Sequence, residues 1–274
     1  KNNVLPFYNL SDYNKWKESN NISGYKVKYY KGLGTSTSSE AKEYFKDMKT
    51  LDYKIETADD EKYLTMAFTK TEADARKKWI LENIKCPETL NYNISKVNVK
   101  DLINKELVLF SIADNIRSIP SLVDGLKPSQ RKILYGCIKR NIYSEIKVSQ
   151  LAGYVSEVSS YHHGETSLQD TVIGMAQTFV GSNNINLLEP VGQFGTRLMG
   201  GKDSSSPRYI FTHLSKKFKN MFNPDDYPLV NYLNDDGFSI EPSFYVPVLP
   251  LVLINGACGI GTGFSTDIPC FNPE

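Results

Sequence analysis

The stretch "GGKDSSSPRYIFTHL" sets Arg208 directly before Tyr209, at the exit of a loop rich in glycine and serine. A tyrosine phenol ordinarily titrates near about pH 10, so it attacks phosphorus only when something withdraws or stabilises charge. A neighbouring guanidinium can do this, and it can also balance the extra negative charge of an in-line phosphoryl transition state. The flexible Gly-Ser approach lets another backbone come close. The bland alternative is a packing tyrosine beside a solvated arginine, and the pair alone does not decide between them.

Other residues bear on the same chemistry. His162 and His163 are adjacent in "SSYHHGET". Neighbouring side chains cannot both face one core, so one of them points at a site or at water. A metal centre would need further Cys or His ligands, and none is near in sequence. Hydrogen bonding to a phosphate or a reacting oxygen is the functional reading, and a structural bond at a helix end is the plain one. Between residues 126 and 150 the cations Lys127, Arg131, Lys132, Lys139, Arg140 and Lys147 face a single acid, Glu145. Lys127 and Arg131 have helical spacing, with Lys132 beside them, which suits either duplex phosphates or an ordinary solvated face. Arg76, Lys77 and Lys78 form a smaller cluster that reads as solvated.

The glycine motifs exclude nucleotide binding. "MGGKD" has Thr196 and Asp203 where a phosphate loop needs glycine and Ser or Thr, and "GIGTGF" has Phe264 where the dinucleotide fingerprint needs its third glycine. Both read as tight turns.

These residues must be positioned by a framework that is also legible in outline. "YKVKYY" alternates like a strand and runs into "KGLGTSTSSE", where Thr37 and Glu40 have capping-box spacing and open a helix through "AKEYFKDM". "TEADARKKWILENI" is a second helix. The Asn-rich "KCPETLNYNISKVNV" lacks periodicity, which puts a domain boundary near residue 98. Helices follow over "DLINKELVLFSIADNI", "KPSQRKILYGCIKRN" with Pro128 in its first turn, "KVSQLAGYVSEVSSY" and "SLQDTVIGMAQTFV". In the last, Leu168, Val172, Met175, Ala176 and Phe179 share one face. Several short helices before the strand-and-loop segment ending in "PRYIFT" is the order of a winged helix. "PSFYVPVLPLVLINGACGIGTGF" is β-branched and broken by Pro247 and Pro250, which predicts edge or irregular strands.

The totals set limits. The chain has 274 residues, 40% hydrophobic and 23% charged, with a net charge of +1. A packed core is expected, and any nucleic-acid site must be a local patch. Cys86, Cys137, Cys258 and Cys270 form no CxxC pair and read as free thiols. No apolar run approaches the ~20 residues of a membrane span. The opening "KNNVLPFYNL" and the close "IPCFNPE" suggest a piece of something longer.

Taken together, "KVKYYKGLGTSTSSEAKEYF", "RSIPSLVDGLKPSQRKILYGC", "QLAGYVSEVSSYHHGE", "FVGSNNINLLEPVGQFGTRLMGGKDSSSPRYIFT" and "PLVLINGACGIGTGFSTDIP" resemble the DNA-cleavage core of a type IIA DNA topoisomerase of the eukaryotic branch, over almost the whole chain. The resemblance implies an α+β multidomain fold. Residues 1–98 would be the C-terminal part of a Toprim α/β domain with its connector. Residues 99–238 would be a winged-helix, CAP-like helix-turn-helix domain, with "SLQDTVIGMAQTFV" entering the groove. Residues 239–274 would begin an α/β tower domain. Tyr209 matches the tyrosine that attacks a DNA phosphodiester and becomes joined to the 5′ phosphate, and Arg208 matches the arginine that stabilises the transition state. Arg117, His162 and His163 match residues around the scissile phosphate. Arg76, Lys77, Lys127, Tyr161 and Ser167 match DNA-backbone contacts, which raises the solvated reading of the small cluster to a functional one. Arg131 joins them through the basic face. Ile260 matches an apolar wedge that enters the base stack and bends the duplex.

The resemblance further implies a nuclear, ATP-dependent isomerase that works as a homodimer on double-stranded DNA, with Mg²⁺ assisting and no membrane attachment. The acidic Toprim stretch that holds the Mg²⁺ and the module that uses ATP are not in these residues, so no metal ligand is assigned among them. The chain alone is expected to bind duplex DNA weakly and to cleave it poorly. Two other readings fit part of the pattern: a winged-helix binder in which Tyr209 only packs, and a metal-dependent nuclease. The missing acidic cluster speaks against the second.

Overall fold

A computed structural model describes residues 4–30, 32–46, 48, 50–55, 57–85, 87–92, 94–235 and 237–274. Cys86, expected to be a free thiol, lies outside the described residues. The chain divides into two compact units, 1–110 and 111–274.

In the first unit, helices α1 (Leu10–Ser19), α2 (Ser38–Lys46), α3 (Ala58–Phe68), α4 (Ala73–Asn83) and the short α5 (Val99–Leu102) accompany a two-stranded parallel pair, β1 (Asp52–Lys54) and β2 (Lys96–Asn98). The capping box that opens α2 is as the spacing predicts: the Thr37 N–H donates to Glu40 Oε2 at 2.7 Å, and the Glu40 N–H donates to Thr37 Oγ1 at 3.3 Å. The expected strand over "YKVKYY" does not form; residues 25–30 join no ladder. Their side chains turn instead to α2, where Lys28 Nζ and the Tyr30 hydroxyl both donate to Glu40. The Tyr30 hydroxyl, then the Thr37 N–H and the Lys28 ammonium, hold the Glu40 carboxyl down at about 2. A small core forms from Trp79, Ile80, Leu90, Val97, Val99 and Ile103. Buried Asp60 anchors it by accepting from the Lys100 N–H at 3.0 Å. A π-helical stretch, Ile103–Leu107, leads into α6 (Val108–Ser118).

The second unit holds α7 (Pro128–Lys139), α8 (Val148–Val158), α9 (Glu165–Ala176), α10 (Phe218–Met221) and α11 (Leu251–Ile254). A three-stranded antiparallel sheet is ordered β3 (Ile146–Lys147), β5 (Phe211–Leu214), β4 (Leu188–Val191). Two hairpins complete it: β6 (Tyr232–Asp235) with β7 (Phe238–Pro242), and β8 (Ala257–Ile260) with β9 (Ser265–Ile268). Three helices against a small sheet with a long β4–β5 loop make the winged-helix order that the sequence predicts. The α9 face holds for Leu168, Val172, Met175 and Ala176, all buried, but the helix ends at Ala176, so Phe179 lies beyond it and is only partly buried. "LVLI" is a helical turn and not a strand, because Pro250 occupies its N-cap and presets the entry.

Asp124 ties this unit together. It is fully buried and accepts from Arg131 Nε at 2.9 Å, Arg131 Nη2 at 3.1 Å, and the backbone N–H groups of Leu126 and Tyr245 at 2.9 Å each. Next to it Gly125, at φ +69°, lies so near α11 that a Cβ would meet the Val252 backbone at 2.8 Å.

This core can be tested at two points. Asp124→Ala strands a buried guanidinium and should cost about 3–5 kcal/mol, read as a lowered denaturant midpoint; an unchanged midpoint would mean that the pair is not holding the fold. Cys137 is wholly buried, and desolvation pushes its thiol up to about 12. Mass spectrometry after a thiol reagent at neutral pH should therefore find Cys258 and Cys270, which are exposed, modified while Cys137 reacts only in denaturant.

Candidate active site

Tyr209 lies two residues before β5, the central strand of the sheet. Its side chain is 69% exposed, although the next residue, Ile210, is buried. Both flanks are pinned to the start of α8: the Ser149 N–H donates to the Pro207 carbonyl at 3.1 Å, and the Val148 N–H to the Ile210 carbonyl at 3.0 Å. These are first-turn donors with no intrahelical partner, so the helix satisfies its own end by gripping the tyrosine segment. A turn closes beneath the residue, with the Tyr209 N–H on the Ser206 carbonyl at 2.9 Å. The Arg208 guanidinium lies over the Tyr209 ring, 5.5 Å from its centroid, and its Nε reaches Ser206 Oγ at 3.4 Å. A backbone held at three points thus presents an exposed phenol with a cation beside it.

The loop before Tyr209 is also braced. Gln177, which caps the end of α9, donates from Nε2 to the carbonyls of Phe194 at 2.8 Å and Gly201 at 3.1 Å, joining both arms of the wing to the helix. Across the wing, the Thr196 N–H and hydroxyl both donate to Asp203, at 2.7 and 2.8 Å. The backbone bond, then the hydroxyl, keeps the Asp203 carboxyl below the usual range. The two residues that rule out a phosphate loop are thus the cross-brace of the wing.

The histidines occupy a turn after α8, where Ser160 has φ +48°. His162 is exposed, and its Nε2 lies 2.7 Å from Asp235 Oδ2 on β6. His163 sets its ring edge-on to Tyr161, with centroids 5.3 Å apart. Tyr161 itself is 9% exposed and packs in the core. Ser167 is exposed on the first turn of α9.

Arg117 is exposed in the last turn of α6, and that end of the helix carries the hairpin with Ile260. Asp114 Oδ2 accepts from the Thr262 hydroxyl at 3.0 Å, and Asn115 Nδ2 donates to the Thr262 carbonyl at 3.0 Å. Gly259 is required by the packing, since a Cβ there would sit 2.2 Å from the Ser118 carbonyl. Ile260, 78% exposed at the tip, is thereby fixed to the same helix end as Arg117.

The basic face is corrected. Arg131 is 5% exposed and committed to Asp124, so its guanidinium is not presented to a phosphate. Lys132 pairs with buried Glu241 at 2.8 Å and donates to the Ser159 carbonyl at 2.5 Å. Lys127 remains half-buried at the N-cap of α7. In the first unit, Arg76 Nη1 donates to the carbonyls of Met66 and Thr69 at the end of α3, and Lys77 pairs with Asp74. Asp235, Glu241 and Gln177 have no signal in the sequence, because each acts on a segment distant along the chain.

Among the described residues no group of three or more His, Cys, Asp or Glu could hold a metal ion, and no helix is long and apolar enough to cross a membrane.

The chain matches two family models: the A-type subunit of DNA gyrase/topoisomerase IV over residues 117–274, and the C-terminal associated domain of TOPRIM over residues 1–115. It is 54% identical over 279 residues to the probable DNA topoisomerase 2 of Dictyostelium discoideum, covering 100% of this chain and 18% of that protein. Against DNA topoisomerase 2-alpha of Homo sapiens it is 53% identical over 282 residues, covering 98% of this chain and 18% of that protein. It is also similar to a crystal structure of the Plasmodium falciparum topoisomerase II DNA-binding, cleavage and re-ligation domain, with a TM-score of 0.81 and 50% identity over 98% of this chain and 37% of that one. The chain spans less than a fifth of the length of the two curated relatives.

The packing around Ile260 is testable by a glycine pair. Gly259→Ala should destabilise the protein by about 1–3 kcal/mol through overpacking. Gly153→Ala, on an exposed face of α8 with nothing within 4 Å, should stabilise it by roughly 0.4–1 kcal/mol. A Gly259→Ala melt at or above the wild-type midpoint would refute the close contact at Ser118.

Proposed function

Because this chain belongs to the type II DNA topoisomerase family, we propose that it is part of a DNA breakage–reunion core in which Tyr209 is the nucleophile. The exposed phenol held between pinned backbone flanks supports this most directly, since an attacking group must be presented without losing its aim. The Tyr209 oxygen attacks a phosphodiester, its bond to phosphorus forming as the bond to the 3′ oxygen breaks. The phenolic proton is given up, and the departing 3′ oxygen gains one. The product is a 5′-phosphotyrosyl ester with a free 3′ hydroxyl, and the reverse step reseals the strand with no external energy. Arg208 holds the non-bridging oxygens and balances their growing charge. His162, His163 and Arg117 attend the same phosphate. Lys127 and Ser167 contact the backbone, as do Arg76 and Lys77 from the first unit, and Tyr161 contributes mainly by seating His163. Ile260 enters the base stack, exchanging a few kcal/mol of unstacking for a bent duplex.

The described residues do not assemble a donor set for Mg²⁺, so this ion and the use of ATP are proposed for the full-length protein and take no part in these roles. The proposed division along the chain is a Toprim-associated part over 1–98, the winged-helix domain over 99–238 and the start of a tower domain over 239–274. The proposed partners are double-stranded DNA and a second copy related by a two-fold axis, and the proposed compartment is the nucleus.

The test is capture of end-labelled duplex by the full-length protein with Mg²⁺, stopped by detergent and resolved on a denaturing gel. Wild type should carry label on protein and Tyr209→Phe none, while Arg208→Ala should slow capture on the order of 10²–10³-fold. Equal capture by Tyr209→Phe would move the chemistry to another residue.

A further inference from the structure

The β6–β7 hairpin is tied to the histidine turn in two ways, directly through Asp235 and by way of Lys132 on α7. On β6, Asp235 Oδ2 lies 2.7 Å from His162 Nε2. On β7, buried Glu241 takes Lys132 Nζ at 2.8 Å, and the same ammonium donates to the Ser159 carbonyl at 2.5 Å, where the turn begins. Ser159 itself is locked, its hydroxyl donating to the Val155 carbonyl at 2.6 Å. A turn with a left-handed residue at Ser160 is thus fixed at its entry through Lys132 and at its histidine through Asp235. The two acids stand 73 and 79 positions beyond His162 in the chain. A solvated pair of this kind, with side chains 46% and 32% exposed, adds little to folding. Its chemical consequence is larger. A carboxylate only accepts hydrogen bonds, so the imidazole nitrogen facing it must carry the hydrogen. The proton of the neutral ring is then assigned to Nε2, and Nδ1 is the edge left to take or give a proton. Among the described residues Nδ1 has no hydrogen-bond partner.

We infer that Asp235 is a positioning residue which holds His162 as the Nε2–H tautomer, so that His162 serves the phosphoryl transfer through Nδ1. This rests on the reading of Tyr209 as the nucleophile. The arrangement acts through orientation: the hairpin fixes the direction of the ring and the identity of its reactive nitrogen, and the substrate phosphate must approach the Nδ1 edge. Asp235 touches no reacting atom itself.

Two measurements test it, one independent of DNA. The chain contains three histidines, so ¹⁵N-histidine spectra of the protein, assigned with His163→Gln and His213→Gln, read each tautomer directly over roughly pH 6 to 9. His162 should show the Nε2–H pattern in wild type and a mixture in Asp235→Ala, and Asp235→Asn, which keeps an acceptor oxygen, should restore it in part. The full-length Asp235→Ala protein should then form and reseal the covalent adduct about tenfold more slowly, within the ~10²–10⁴ that a positioned acid or base contributes, with DNA affinity unchanged. An Nδ1–H pattern in wild type overturns the proposal, as does a tautomer indifferent to Asp235→Ala. So does a tautomer that changes while the rates do not. Adduct formation by Tyr209→Phe would sink the reading of the nucleophile and leave the tautomer result standing.

Discussion

The second unit is tied together by a buried ion pair, Asp124 with Arg131, which joins the start of α7 to the segment leading to α11. Asp124 uses both oxygens on four donors: two from the guanidinium, one from the turn at Leu126, and one from Tyr245, 121 residues away. Burying two charges is expensive, and a well-packed apolar replacement is often as stable, so the value of the pair lies in what it locks together. It sets the start of α7 against the loop before it, and it brings in the segment leading to α11. The Gly125 approach to Val252 then fixes where α11, and the β8–β9 hairpin after it, emerge.

The groups around the candidate reaction share one logic. Three of the candidate segments are backed by ordered polar groups on another element. Tyr209 has the first-turn donors of α8, the wing has Gln177, and Ile260 has Asp114 and Asn115. The candidate nucleophile is therefore carried on a loop and held by a helix end. Such ends have unspent donors and acceptors, which makes them natural clamps for irregular chain.

Much of this is readable in the residues, and the failures have physical causes. Helices α7, α8 and α9 have apolar faces that repeat with the helical period, and a face such as Leu168, Val172, Met175 and Ala176 leaves little choice. "YKVKYY" has a strand's alternation, but a strand exists only when another backbone pairs with it, and alternation says nothing about that. "LVLI" has strand-like composition, which Pro250 overrides locally. Counting charges puts Arg131 on a basic face because a count is blind to pairing, although Asp124 stands only seven positions away. Asp235 and Glu241 are beyond reach, since nothing near them in the chain marks their partners at His162 and Lys132.

The position of Tyr209 two residues before β5 has a mechanical consequence. That strand is hydrogen-bonded on both sides, to β3 and to β4. A DNA end joined to the phenol would deliver its tension along the strand axis, where the two ladders resist by sliding together and do not open one bond at a time. The grip of α8 on Pro207 and Ile210 gives the same load a second route into the helical layer. Under the proposed role, a cut end held in this way would be anchored to the sheet and to α8 together.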